Sequence, residues 1–179
     1  MRNTVLKFGL ISGAIISILM AVTVPFADKL GHSYILGYTT MILSFMMVFF
    51  GIRSYRDNVG NGHVSFGKAF AVGILITLIS CIFYVATWEI IYFNFMPDFM
   101  DKYVAHMLDE MKSAGATAQA IQAKTQEMQK FKEMYKNPIF NSLMTFIEPF
   151  PVGLVITLIS AAILRKKQQL PTGGGPLPA

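Results

Sequence analysis

Two carboxylates, Glu89 and Glu148, stand in stretches that are otherwise almost wholly apolar. An acid held away from water carries a proton, binds a cation or meets a counter-charge, because a bare buried anion is costly. At 1.5 Å per helical residue, Glu89 lies about 31 Å beyond Lys68 and Glu148 about 25 Å before Arg165. Both therefore approach the same end of their segments. They could share one site and titrate as a coupled pair. They could equally be boundary anchors that meet headgroups, water or nearby lysines. The run Glu148-Pro149-Phe150-Pro151 places two prolines where a helix starts or bends.

Other constellations that perform chemistry are missing from the chain. It contains no phosphate-binding glycine loop, no HExxH pair and no nucleophile elbow. His32 and His106 fall on one side of the apolar segments and His63 on the other, so the three cannot hold one metal. Cys81 is the only cysteine, which excludes an internal disulfide. The expectation is a non-enzymatic protein without a cofactor. The net charge of +5 forms no basic stripe with interleaved aromatics, so nucleic acid is not an expected partner.

The elements that carry the acids are four apolar stretches at residues 5–24, 34–51, 66–91 and 139–164. Each matches the roughly 20 residues that a helix needs to cross a bilayer. The mean hydropathy is +0.51 and only 14% of residues are charged, well below a soluble domain's quarter or so. The fold class expected is all-α, an integral membrane four-helix bundle within residues 1–167, and its first partner is the lipid bilayer. Arg2 and Lys7 precede the first stretch as in a secretory signal, but its end makes a poor cleavage site, so it reads as a retained span. Residues 168–179, rich in Pro and Gly, read as a disordered tail.

Charge sets the expected orientation. Arg2, Lys7, Arg53, Arg56, Lys68, Arg165, Lys166 and Lys167 all fall on one side, which the positive-inside rule makes cytoplasmic. Arg53, Arg56, Lys68, Trp88 and the 165–167 triplet read as membrane anchors. The 53–66 linker could be a re-entry turn or a reader of anionic headgroups. Tyr84, Trp88 and Tyr92 recur every fourth residue, as an aromatic belt would. Gly9, Gly13 and Ser17, with Gly73 in the third span, form small-residue faces suited to close helix packing, either within the bundle or in a homodimer.

Residues 96–137 form a polar segment on the opposite, external side. Asp98 is a candidate N-cap, with Asp101 three residues on. Tyr103, Val104, Met107 and Met111 share one helical face; Ile121, Met128 and Tyr135, with Phe131, share another. Residues 113–117 separate the two and Asn137-Pro138 ends the second. The segment reads as a helical hairpin that packs on itself, lies on lipid or engages a membrane-protein partner.

Several blocks together resemble one family. They are GIRSYRDNVGNGHVSFGKAF from Gly51, Trp88-Glu89, KSAGATAQAIQAK, and the passage from Tyr135-Lys136-Asn137-Pro138 to Pro151-x-Gly153. The chain, apart from its tail, is similar to the bacterial four-span membrane proteins grouped as domain of unknown function 4199. That resemblance implies a bacterial inner-membrane protein with an external helical insertion, and it carries no catalytic residues. The function expected is a scaffold or accessory subunit that acts through its external hairpin. The alternative is a small proton- or cation-linked transporter subunit centred on Glu89 and Glu148.

Overall fold

The computed structural model describes residues 1–24 and 34–166. Lys167 and the 168–179 tail lie outside the described residues. Seven helical segments follow in order: α1 Arg2–Thr23, α2 Tyr34–Asn58, α3 Phe66–Phe95, α4 Phe99–Ser113, α5 Ala118–Tyr135, α6 Pro138–Ile147 and α7 Pro149–Leu164. Glu148 keeps right-handed helical angles (φ −71°, ψ −58°), so α6 and α7 run on as one rod. Among the described residues, four helices are long and apolar enough to cross a membrane: Arg2–Thr23, Ile35–Asn58, Phe66–Phe95 and Pro138–Leu164.

Two of these helices outrun the expected spans. α2 extends through Arg53, Arg56 and Asp57, which were expected in a linker. Asp57 explains the extension: it lies 3.7 Å from the Arg53 Nε one turn earlier and accepts from the Arg56 Nε at 2.7 Å. Of the two, the Arg53–Asp57 pair has the four-residue spacing at which opposite charges support a helix. The turn that follows is tight, with Asn61 and Gly62 both at positive φ (48° and 81°), and Gly62 meets that demand without a Cβ clash. Ser65 then caps α3 by accepting from the Lys68 amide.

The bundle's exterior is unlike a soluble one's, and small hydroxyl residues share its apolar interior. Ser12, Ser44, Thr77, Ser80, Thr157 and Ser160 are buried, while Ile18, Ile35, Ile82, Ile90, Ile159 and Ile163 are more than half exposed. In water such an exterior would drive aggregation; in lipid it is the solvated surface. This is a membrane-embedded all-α protein.

α2 and α3 pack on each other, and each packs on both α1 and α7. Phe45, Val48, Ile52, Val72 and Ile76 form their shared core. Small residues set the approach of the backbones. A Cβ on Gly9 would meet Ile79 at 2.8 Å and one on Gly13 would meet Phe83 at 2.5 Å, while Ser17 Oγ accepts from Thr87 at 2.7 Å. The 9/13/17 face thus lies against α3 of the same chain. Gly73 lies against Thr157 and Ile52. Ser12 and Ser44 each donate to the other's carbonyl, at 2.9 and 2.7 Å, clasping α1 to α2. Thr77 and Thr157 hydroxyls meet at 3.0 Å between α3 and α7.

At the end opposite the hairpin, Val64 and Lys166 exchange both backbone hydrogen bonds (3.0 and 2.9 Å). Lys166, Arg165 and Lys68 are exposed there. Val64 itself is 4% exposed.

Candidate functional site

The hairpin between the third and fourth spans is α4 and α5. It turns at Gly115 (φ 76°), and Thr117 caps α5 by accepting from the Ala120 amide at 3.2 Å. Asp98 does not cap α4 through its side chain, unlike the expectation; it pairs with Lys102 at 3.2 Å instead. Asp101 crosses the hairpin to Lys132. Val104, Met107, Met111, Ile121 and Phe131 are half-buried and Met128 is buried, so the expected apolar faces do meet protein.

The hairpin's base closes over the ends of α1, α3 and α6. Met20, Trp88, Tyr92, Met100 and Tyr135 form a second core there, 3–9% exposed. This placement differs from the aromatic belt read from the sequence. Trp88 and Tyr92 turn inward beneath the hairpin, and Phe99 stacks edge-on against Trp88 at 4.8 Å. An i, i+4 aromatic pair has the same spacing on a lipid face and under a docked helix; the hairpin decides between them.

A directed chain of hydrogen bonds runs through this core. Trp88 Nε1 donates to the Tyr135 hydroxyl at 3.1 Å, which lies 3.5 Å from Thr145 Oγ1. Thr145 donates to Asn141 Oδ1 at 3.1 Å, and Asn141 Nδ2 returns to the Tyr135 carbonyl at 3.4 Å. With the indole donating, the phenol is left to donate onward to Thr145. Burial pushes the Tyr135 phenol above its usual range, outweighing its hydrogen bonds with Thr145 and Trp88. The sequence reading missed Tyr135, Asn141 and Thr145 as polar groups. The signal available was Asn141 and Thr145 one turn apart in a segment that is otherwise apolar.

Beside this network lies a cavity of about 470 Å³. α1 contributes Thr23, α2 Leu36 to Tyr38, α3 Tyr84 and Trp88, α4 Phe99, Tyr103 and His106, α5 Phe131 and Tyr135, and the fourth span Thr145 and Glu148. Volume and lining are those of a small-molecule site, mostly apolar with a few polar groups. Glu148 accepts from the Tyr84 hydroxyl at 2.9 Å. Pro149 and Pro151 follow immediately; without N–H groups they leave the Thr145 and Ile147 carbonyls without their helical donors at this level.

The two acids named from the sequence have different hydrogen-bond partners. Glu89 accepts from Ser142 Oγ at 2.9 Å, whereas Glu148 has Tyr84. Tyr84 and Glu89 are five residues apart on α3, a rise of about 7.5 Å. Glu148 lines the cavity and Glu89 does not. Among the described residues no group of three His, Cys, Asp or Glu side chains converges as a metal site would need.

Neither the curated proteins nor the solved structures yielded a match to this chain. A family model does match, over residues 7–166, and so takes in most of the first span, the other three spans and the hairpin. The chain belongs to the family described as protein of unknown function (DUF4199).

Proposed function

We propose that this is a non-catalytic, multi-pass protein of the bacterial inner membrane, with both termini cytoplasmic, whose external hairpin is a docking arm for a membrane-protein partner. The observation that carries the reading is the way the hairpin is seated. Its base is built into the second core through Met100 and Tyr135, so the distal half is held as a fixed projection. α5 alone, at 18 residues, is about 27 Å long. The charge pattern supports the orientation: Arg53, Arg56, Lys68, Arg165 and Lys166 gather at the end away from the hairpin. The alternative, a proton- or cation-linked transporter subunit using Glu89 and Glu148 as a pair, draws less support, since each carboxylate has its own hydroxyl donor.

The orientation is tested in intact cells after replacing Cys81. A cysteine at Gln119 should react with an impermeant maleimide and one at Asn58 should not; the reverse labelling overturns the topology. The arm is tested with a photo-crosslinking residue at Gln119 or Gln122 in native membranes. The expected product is an adduct of one discrete mass, lost when the same residue is placed at lipid-facing Ile159. Adducts to lipid alone would remove the arm from the reading, and an adduct at twice the chain's mass would identify the partner as a second copy.

A further inference from the structure

The geometry points to the cavity beneath the hairpin as a binding site for an aromatic or otherwise bulky organic cation, with Glu148 as its counter-charge. This inference is independent of the docking arm. Three observations carry it. The space is sufficient, at about 470 Å³. Its walls are aromatic on several sides, with Tyr84, Trp88, Phe99, Phe131 and Tyr135 contributed by three helices. Aromatic faces attract cations and tolerate apolar substituents, so such walls accept both parts of an organic cation. The third observation is charge. Among the described residues that line the cavity, Glu148 is the only carboxylate and none is Lys or Arg. His106, which also lines the space, lies 3.2 Å from Glu110 at the hairpin's surface. Tyr84 supplies Glu148 with a hydrogen bond and no charge. Glu148 is exposed rather than buried, so its charge is open to a partner that enters the cavity. A cation entering between the aromatic walls pairs with that charge. An anionic occupant would be repelled, and a neutral one would leave Glu148 as it stands.

Trp88, the chain's only tryptophan, stands in the cavity wall and reports occupancy directly. The experiment titrates the full chain in lipid nanodiscs with tetraphenylphosphonium, following Trp88 emission, and repeats the titration with tetraphenylborate. The two probes share shape and differ in the sign of charge. Saturable, one-to-one quenching by the phosphonium is expected, with no saturable response to the borate. Glu148→Gln should weaken phosphonium binding at least tenfold, Phe131→Leu severalfold, and Glu89→Gln not at all. If Glu148→Gln does not insert, Glu148→Asp, which withdraws the charge by one methylene, should still weaken binding measurably. Equal saturable binding of the two probes, unchanged affinity in the Glu148 variants, or a linear response matched by empty nanodiscs would each overturn the site.

Discussion

A methyl group added to Gly153 would sit 2.4 Å from Thr77 Cγ2 and 3.0 Å from the Phe45 ring, a space that real carbon atoms do not share. Gly153→Ala should therefore cost about 1–3 kcal/mol, the usual penalty of overpacking. Gly67→Ala is the control: nothing lies within 4 Å of its new carbon, and alanine favours a helix. Thermal unfolding in detergent should show a fall for the first and none for the second. Single residues also explain the hydroxyl groups inside the bundle. Ser12 and Ser44 satisfy each other, so Ser12→Ala removes both a donor and a clasp. The expected loss is about 0.6 kcal/mol, in keeping with hydrogen bonds between membrane helices elsewhere. A loss of several kcal/mol would mean that the serines do more than hold α1 against α2.

The hairpin is where element-scale predictions belong. Asp101 and Lys132 join α4 to α5 on the surface, and exposed pairs contribute little, so Lys132→Ala should change hairpin stability by less than about 1 kcal/mol. Met128, only 7% exposed, should behave differently: Met128→Asp buries a charge and should free the hairpin to protease while the spans stay inserted. Tyr135 adds a pH dependence. Its phenol titrates above the ordinary value of about 10 when the hairpin is seated and near that value when it is released. The neutral form is thus favoured by docking. That stabilisation is complete below about pH 10 and is lost as pH rises from there through the raised value. Trp88 emission should shift to the red over that window, and Tyr135→Phe should abolish the shift while leaving the indole N–H without its acceptor. The spans and the hairpin turn were legible in the sequence because apolar length and a Ser-Ala-Gly break are local signals. The end of α2 was not, since Arg53, Arg56 and Asp57 look like a polar linker until Arg53 and Asp57 are paired one turn apart. The burial of Trp88 and Tyr92 was not legible either, because it depends on a segment some forty residues away folding back.

Across the whole molecule, the candidate site is more than either acid could announce. Glu89 and Glu148 were visible as costly groups near one end of the bundle, and the counted depths already differed by about 6 Å. The antiparallel register of α3 against the fourth span, fixed where Thr77 meets Thr157, turns that difference into separate partners, Ser142 and Tyr84. The cavity itself has no local signature, since its walls come from every described span and from the hairpin. The exchange between Val64 and Lys166 has a further meaning, in time rather than in space. Val64 is synthesised early and Lys166 about a hundred residues later, so the turn between α2 and α3 must wait, its buried amide and carbonyl unpaired, until the last span has emerged. Closure of that bridge marks a finished bundle. A chain stopped after Leu164 should keep its four spans yet leave the turn at residues 59–65 open to protease, as an unfinished protein presented to the cell's quality control.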